Sequence, residues 1–215
     1  MTLAPLMPKL DAILILGSEG DRLATKYYGD FLKTADDGYS REETRQNFEK
    51  EVQQKIGGVV ARPDAAEVVS VRGKTVVFCG GSSQGGGGDV RIVHVGPSNE
   101  SELVLAHLCE SMYDALSQVM GGTTERSMVL DNLELVFVLI DEHCDGGIIL
   151  ETDPTRLTST VFLRDEETQQ GEMAMATGVR APTHGVPTAG GGTAGDMTLA
   201  QAFRQARDQL FSSTF

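Results

Sequence analysis

The chain has 215 residues, of which 31 are acidic and 18 are basic, and its formal net charge at pH 7 is -13. This charge disfavours duplex nucleic acid and anionic membranes as direct ligands, because both select for lysine and arginine. The length suits one domain with appendages, and no apolar run approaches the about 20 residues of a transmembrane helix, so we expect any membrane contact to be indirect.

The N-terminal part of the chain predicts a tail and then a pair of strands. Residues 1–9 lack the basic leader of a signal peptide and contain two prolines, which predicts an N-terminal tail on a cytoplasmic protein. Residues 12–16 and 23–28 read as strands joined by a turn at 17–21. The first strand is apolar on both faces, which predicts helices on both sides of the sheet.

A helix and three further strands follow. Ser40 and Glu43 form a capping-box pattern at the start of an amphipathic helix. The apolar stripe of this helix is Phe48, Val52 and Ile56. Residues 67–71, 75–79 and 90–95 then predict three strands, the first two joined by a short hairpin, so we expect an antiparallel meander.

A long amphipathic helix is predicted after the meander. Asn99 with Glu102 fits a capping box, and Gly121 with Gly122 predicts the end of the helix. Its apolar stripe is Leu105, Leu108, Met112, Leu116 and Val119.

The run LDNLELVFVLIDEHCDGGIILETDP, residues 130–154, is the most informative stretch of the chain. Apolar residues at spacings of three and four favour a helix over residues 130–140, although its last five residues fit a buried strand equally well. The other faces of this helix are also mostly apolar, which predicts that it lies between two partners. Residues 146–147 are glycines of the kind that end helices, and Asp153-Pro154 predicts the start of the next helix.

The C-terminal part differs in composition. Residues 164–197 are rich in glycine, threonine, alanine and proline, which predicts a flexible linker, because few large apolar side chains are present to offset the entropy of ordering. Residues 198–212 predict a C-terminal amphipathic helix, and its apolar face could pack on this domain or on a partner. The predicted element order is therefore ββ-α-βββ-α-α-α.

One short segment matches a serine-hydrolase motif. Residues 81–85, GSSQG, match G-x-S-x-G, with Ser83 in the nucleophile position. The pattern requires a helix after the serine, but consecutive glycines and a strand follow, so a long hairpin loop is favoured. The same glycines lack the lysine of a phosphate-binding loop. A small hydrolase that uses Ser83 is a remote alternative.

The remaining polar residues do not predict chemistry. In the cluster at residues 141–145 only Asp141 and Asp145 would share a helix face, so a solvated acidic helix end is favoured over a metal or acid–base site. His94 and His107 lack companions at ligand spacing, which favours packing or surface roles. The three cysteines are widely spaced in apolar surroundings, as is typical of buried thiols in a reducing compartment. We predict no catalytic residue, metal, cofactor or small-molecule substrate.

Three segments together resemble the zeta-subunit family of coatomer. They are AILILGSEGDRLATKYY at 12–28, NESELVLAHLCESMYDALSQ at 99–118 and the run at 130–154. In the last segment the motif residues are DE at 141–142, DGG at 145–147 and LETD at 150–153. The resemblance implies an α+β, longin-like domain over residues 10–163: an α/β/α sandwich whose five-stranded antiparallel sheet has one helix on one face and the others on the opposite face.

The same resemblance implies a non-enzymatic structural subunit of the COPI vesicle coat. It would pair with the coatomer gamma subunit in an adaptor-like subcomplex, act in Golgi-to-ER and intra-Golgi transport, and lie peripherally on Golgi membranes and coated vesicles. The alternative is a clathrin-adaptor small chain, or another longin trafficking protein, that reads sorting peptides. Tyr27, Tyr28 and Phe31 are the predicted partner-interface residues, because aromatic side chains beside a charged turn are favoured anchors, with sheet packing favoured for at least one tyrosine.

Overall fold

The computed structural model describes residues 8–32, 40–59, 61–81 and 88–177, and of residues 166–177 it describes the backbone. The chain divides into two units, Met1–Val161 and Phe162–Phe215. The sheet and its packed helices belong to the first unit, and the last helix continues into the second.

Five strands form one antiparallel sheet in the spatial order β2-β1-β5-β4-β3. The strands are β1 (Ala12–Gly17), β2 (Arg22–Tyr27), β3 (Glu67–Val71), β4 (Lys74–Gly80) and β5 (Val90–Pro97). Each of the five predicted strands is therefore present. The β3–β4 hairpin turns through Arg72 at φ 48° and Gly73 at φ 71°, two left-handed residues whose twist matches that of the strands they join.

The helices lie on both sides of this sheet. They are α1 (Arg41–Ile56), α2 (Glu102–Val119), α3 (Arg126–Asp131), α4 (Leu133–His143) and α5 (Pro154–Thr177). A short hairpin of β6 (Cys144–Asp145) and β7 (Ile148–Ile149) joins α4 to α5. Helix α1 packs alone on one face, while α2, α3, α4 and the start of α5 pack on the other. This arrangement confirms the predicted α/β/α sandwich.

The two faces of the sheet have separate apolar cores. Side chains that alternate along β1 divide between them, with Leu14 and Leu16 facing α1 and Ile13 and Ile15 facing α2. All are at most 1% exposed, which explains why the strand is apolar on both faces. Burial of each such side chain stabilises the fold by about 1.5–3 kcal/mol.

The start of α1 confirms the predicted capping box. The hydroxyl of Ser40 accepts a hydrogen bond from the backbone N–H of Glu43 at 3.3 Å, and the Glu43 carboxylate accepts one from the Ser40 N–H at 2.7 Å. The predicted stripe of Phe48, Val52 and Ile56 is fully buried. The local sequence therefore sets both the start of this helix and its inward face.

The ends of α2 test the second capping prediction. The predicted box of Asn99 and Glu102 is wrong, because the N-cap is Ser101 and its side chain makes no capping hydrogen bond. The Glu100 N–H instead bonds to the Pro97 carbonyl at 3.0 Å in a turn. The predicted C-terminal end is confirmed by a Schellman pattern, in which the two glycines at 121–122 donate to carbonyls of the last turn at 3.2 and 2.7 Å.

The run at 130–140 is helical, as predicted, but it belongs to two helices rather than one. Helix α3 ends at Asp131, and α4 begins at Leu133. The side-chain amide of Asn132 donates to the Met128 carbonyl at 2.8 Å, and such a local side-chain bond competes with continuation of the helix. Val136 is fully buried on the inner side of α4.

The corner after α4 was predicted only in part. Gly146 and Gly147 have left-handed φ values of 57° and 85°, as predicted, but they form the turn of the β6–β7 hairpin and do not end the helix, which stops at His143. The predicted N-cap of α5 is confirmed, since the Asp153 carboxylate accepts hydrogen bonds from the N–H groups of residues 155 and 156 at 2.9 and 3.0 Å.

Helix α5 extends beyond the predicted domain boundary. Residues 164–177, predicted as the start of a flexible linker, are helical. Their Arg, Glu, Gln, Met and Ala residues favour helix, which outweighs the single glycine among them. The rest of the predicted linker and the predicted helix at 198–212 lie outside the described residues, as do residues 1–7 of the predicted tail.

Candidate partner interface

The structure bears on the metal alternative that the sequence raised, but not on the hydrolase alternative. Ser83 lies outside the described residues. Within the part of the chain that the structure describes, no group of three or more His, Cys, Asp and Glu residues is placed to hold a metal ion. In the same part, no helix combines the length and the apolarity needed to cross a membrane.

The polar cluster at residues 141–145 separates into outward and inward side chains. Asp141, on α4, pairs with Lys26, and Asp145, in β6, is exposed. These two carboxylates therefore do not share a helix face, because the helix ends between them. The His143 side chain is buried, and its Nδ1–H donates to the Glu151 carbonyl at 2.9 Å. The cluster forms a corner of the fold.

Two buried histidines pack against each other beneath this corner. The rings of His94 and His143 are both 0% exposed and stack with centroids 5.3 Å apart. Burial lowers the pKa of His94 well below its usual value, and it lowers the pKa of His143 to about 4. Both rings are therefore neutral at pH 7, which confirms a packing role for His94.

The predicted interface residues Tyr27 and Phe31 lie on the α1 side of the sheet. With Phe48 they form the aromatic cluster, in which Phe31 meets Phe48 edge to face at 5.2 Å and Tyr27 lies 6.2 Å from Phe31. The hydroxyl of Tyr27 donates to the Glu49 carboxylate at 2.6 Å, and burial followed by this bond raises the Tyr27 pKa. Both predicted residues are half-buried.

Charged side chains enclose the aromatic cluster. Glu49 also accepts a hydrogen bond from Arg22 at 2.8 Å. The Arg45 guanidinium lies 4.5 Å from the centroid of Tyr27, and the Lys74 ammonium lies 5.1 Å from that of Phe31. The polar and aromatic groups of this region are thus engaged with one another, which limits what they offer to a partner.

Tyr28 faces the opposite side of the sheet. Its side chain is buried, at 5% exposed, and its hydroxyl donates to the carbonyl of Cys144 at 3.1 Å. Successive residues at a strand end point to opposite faces, so the structure does not bring the three predicted residues together. Tyr28 has the packing role that was expected of at least one tyrosine, and it supports the β6–β7 hairpin.

A different region presents uncovered apolar side chains. Four large apolar residues are exposed along α3, α4 and the β6–β7 hairpin: Leu130 at 37%, Phe137 at 43%, Ile148 at 42% and Leu150 at 60%. The segment that carries them, residues 127–153, has no Lys or Arg and seven acidic residues: Asp131, Glu134, Asp141, Glu142, Asp145, Glu151 and Asp153. We call these four apolar residues and their acidic neighbours the acidic–apolar surface.

The sequence indicated the part of this surface that lies on α4. The inner side of α4 is formed by Val136, Leu139 and Ile140, all fully buried. Phe137 lies on the outer side and is 43% exposed, in agreement with the prediction that the other faces of the helix are apolar. Ile148 and Leu150 were not predicted as site residues, because residues in a hairpin give no helical period from which exposure can be read.

A smaller group of exposed apolar residues lies elsewhere. Leu103 and Val104, in the first turn of α2, are 81% and 38% exposed, and Val68, on the edge strand β3, is 37% exposed. Isolated exposed apolar residues are common on soluble proteins. This group is smaller than the acidic–apolar surface and carries fewer large side chains.

The chain is similar to known adaptor and coatomer subunits. Residues 9–168 match the family model of the clathrin adaptor complex small chain. Coatomer subunit zeta-1 of Homo sapiens is 34% identical over 82% of this chain and 89% of that protein. Coatomer subunit zeta-2 of Arabidopsis thaliana is 30% identical over 96% of this chain and 95% of that protein. Coatomer subunit zeta-1 of the same plant is 36% identical over 69% of this chain and 76% of that protein. These similarities confirm the resemblance to coatomer zeta subunits.

Proposed function

Because the chain belongs to the clathrin adaptor complex small chain family and is similar to coatomer zeta subunits, we propose that it is a structural subunit of the COPI vesicle coat. It pairs with the coatomer gamma subunit in an adaptor-like subcomplex. It acts in Golgi-to-ER and intra-Golgi transport, from the cytoplasmic side of Golgi membranes and coated vesicles, and it reaches the membrane through the assembled coat.

One observation carries this proposal. The similarity to zeta subunits at 30–34% identity extends over 82–96% of the chain, so it concerns the folded unit and not one motif. The relation supports the coat assignment, while the choice of gamma as partner follows from what the sequence resemblance implies.

The described surface supports a binding role. Its conspicuous groups are exposed apolar side chains with acidic neighbours, whereas an enzyme needs a convergent set of nucleophile, base and charge-stabilising donors. A permanent partnership of this kind typically buries about 2,000 Å² or more. The free subunit would then be less stable than the complex, because a ligand that binds only the folded state stabilises it.

Co-expression tests the proposed partner. We expect the full chain and the gamma subunit of coatomer to co-purify as a one-to-one complex that survives size-exclusion chromatography. The matched control is the large subunit of a clathrin adaptor, which should not be retained. Recovery of the chain as a monomer in the presence of folded gamma subunit would contradict the proposal.

The second candidate function is direct reading of acidic dileucine-type sorting peptides. The exposed Leu103, Val104 and Val68 favour it, since apolar side chains could contact the leucines of such a peptide. A labelled peptide should then bind the isolated chain, and a peptide with both leucines changed to serine should not. If neither peptide binds, the structural role stands without this activity.

The interface residues Tyr27, Tyr28 and Phe31 remain a prediction for the gamma contact. Their internal contacts with Glu49, Cys144 and Phe48 reduce the apolar area they can offer. Substitution of any of them would alter the fold as well as the interface, so they are poor positions for an isolated test.

A further inference from the structure

We propose that the acidic–apolar surface is the docking surface for the coatomer gamma subunit, and that this partner presents an apolar groove bordered by lysine and arginine. The proposal rests on the proposed function, because it names the surface through which that pairing occurs. It places the contact on α3, α4 and the β6–β7 hairpin, and it competes with the prediction of a gamma contact at Tyr27 and Phe31, which lie on the α1 side of the sheet.

The first support is the amount and position of the exposed apolar surface. Leu130, Phe137, Ile148 and Leu150 are 37–60% exposed and come from one continuous segment of 21 residues. Single exposed apolar residues need no explanation, but a group of them bordered by polar residues marks an interaction site. Phe137 is the largest of the four, and aromatic side chains are enriched among residues that dominate binding.

The second support is the charge of the border. Residues 127–153 contain seven of the 31 acidic residues of the chain and none of its 18 basic residues. Lys26 pairs with Asp141 and Arg156 pairs with Glu151, so these two pairs leave an excess of five carboxylates. An interface places opposite charges across from each other, which selects the partner and speeds association. The complementary partner therefore carries lysine and arginine around an apolar centre.

The same charge argues against other occupants. A second copy of this chain would bring the same excess of negative charge against the acidic residues already present, and like charges across an interface oppose association. Anionic lipid headgroups and nucleic acid would be repelled in the same way. A basic protein surface is the occupant that the composition of this segment favours.

The third support is that the surface is held in place before any partner arrives. The Leu10 N–H donates to the Gly147 carbonyl at 2.9 Å, and the Leu150 N–H donates to the His143 carbonyl at 3.0 Å. The Tyr28 hydroxyl holds the first strand of the hairpin through the Cys144 carbonyl at 3.1 Å. A rigid surface loses little conformational entropy on binding, which favours affinity.

The left-handed glycines have a part in this arrangement. A side chain at Gly147 would place its Cβ 2.7 Å from the Leu10 carbonyl oxygen, at a φ of 85°. The close approach of the hairpin to Leu10, two residues before β1, therefore requires glycine. The DGG motif fixes the hairpin that carries Ile148 into the surface.

The test uses the full chain and the purified gamma subunit of coatomer, with affinity measured by biolayer interferometry. The variant Phe137→Ser/Leu150→Ser should bind at least about 100-fold more weakly than the wild type, as expected when apolar anchor residues are removed. The control is Leu163→Ser, an apolar residue outside residues 127–153 that is 58% exposed, and its affinity should match that of the wild type.

A second variant keeps the test decisive if the first one does not fold. Asp131 and Asp145 are both exposed, and Asp131 ends α3, where a positive charge is tolerated. We expect Asp131→Lys/Asp145→Lys to slow association about tenfold at low salt, with a smaller effect at high salt. The control Glu67→Lys/Asp114→Lys makes the same change in net charge at exposed positions elsewhere and should associate at the wild-type rate.

The outcomes separate the two proposals. If the wild type does not bind the gamma subunit, the proposed function fails and this inference fails with it. If the wild type binds and both surface variants bind equally well, the inference is overturned while the proposed function stands. A wild-type dimer that is dispersed by Phe137→Ser/Leu150→Ser would also overturn it, since the surface would then be occupied by a second copy.

Discussion

The aromatic cluster and the acidic–apolar surface both combine large apolar side chains with charges, yet they use them differently. In the aromatic cluster, Tyr27 and Phe31 pack on Phe48, and Glu49 holds both Tyr27 and Arg22. In the acidic–apolar surface, Phe137 and Leu150 remain exposed. The difference indicates that residue type alone does not identify a binding surface, because what matters is whether neighbours within the chain already satisfy the side chain.

The strongest test of this comparison is the loss of Phe48. Its ring is fully buried and meets Phe31 at 5.2 Å, so Phe48→Ala should lower the free energy of unfolding by about 3–5 kcal/mol. Urea denaturation followed by circular dichroism measures this change. The matched control is Phe137→Ala, where the ring is 43% exposed and we expect a loss of about 1 kcal/mol. Equal losses at the two positions would remove the distinction between the regions.

Acidification should weaken the region beneath the acidic–apolar surface. The pKa of His143 is about 4 in the folded chain, against about 6.5 in an unfolded chain. Between these values the unfolded chain binds a proton that the folded chain does not, so stability is complete above about pH 6.5 and falls as the pH drops towards 4. At pH 5 the loss is about 2 kcal/mol from this residue, and the lowered pKa of His94 acts in the same direction.

Hydrogen exchange between pH 7.5 and 5 checks this prediction, after correction for the intrinsic rate. Amides of α4 and the β6–β7 hairpin should lose protection before those of α1. Hydrogen bonds from the N–H groups of residues 153 and 152 lower the pKa of Glu151. Protonation of Glu151 therefore also destabilises the fold, but only below the usual pKa range of a glutamate. The two histidines dominate the pH dependence above pH 5. Unchanged protection in α4 at pH 5 would contradict the prediction.

Loss of the ion pair between Glu49 and Arg22, beside the aromatic cluster, should have an intermediate effect on the free energy of unfolding. The Glu49 carboxylate is 9% exposed and accepts hydrogen bonds from Arg22 at 2.8 Å and Tyr27 at 2.6 Å. Glu49→Gln keeps the shape but removes the charge, so we expect a loss of about 1–2 kcal/mol in the free energy of unfolding. Glu51→Gln breaks a more exposed pair with Arg72, and its smaller loss in the same urea titration is the control.

The smallest effect on stability is expected for the most exposed of the four apolar residues in the acidic–apolar surface. Leu150 is 60% exposed, so Leu150→Ser should change the free energy of unfolding by less than about 0.5 kcal/mol. Thermal unfolding of the isolated chain measures this directly. A loss of several kcal/mol would show that Leu150 contributes to the fold, and the acidic–apolar surface would then be no different from the aromatic cluster.

The fold could be predicted from the sequence where local signals agree. The apolar strand at residues 12–16 predicted helices on both sides of the sheet, and Ser40 with Glu43 predicted the start of α1, because each pattern depends on neighbouring residues alone. The break at Asn132 could not be predicted in this way. It depends on one side-chain rotamer that donates to the Met128 carbonyl, and the same residue type also occurs within helices.

The candidate surface was predictable only in part, for a related reason. The apolar outer face of α4 was visible as an excess of apolar residues, but exposure depends on which neighbours cover each side. Tyr27 and Tyr28 are adjacent in sequence and chemically identical, yet one bonds to Glu49 beside α1 and the other to Cys144 beneath the hairpin. Only the strand register and the helix positions decide between these environments.

The three buried cysteines allow local opening of the structure to be measured by thiol alkylation. All three thiols are free and buried, with Cys79 on β4 and Cys109 on α2 having sulfur atoms 3.4 Å apart, and Cys144 in the corner below the exposed region. Burial raises the pKa of Cys144 to about 11, so alkylation at neutral pH is slow until the structure opens. Mass spectrometry of alkylated chains would therefore measure two opening events separately. Alkylation of Cys144 would report detachment of the β6–β7 hairpin. Alkylation of Cys79 and Cys109 would report separation of α2 from the sheet.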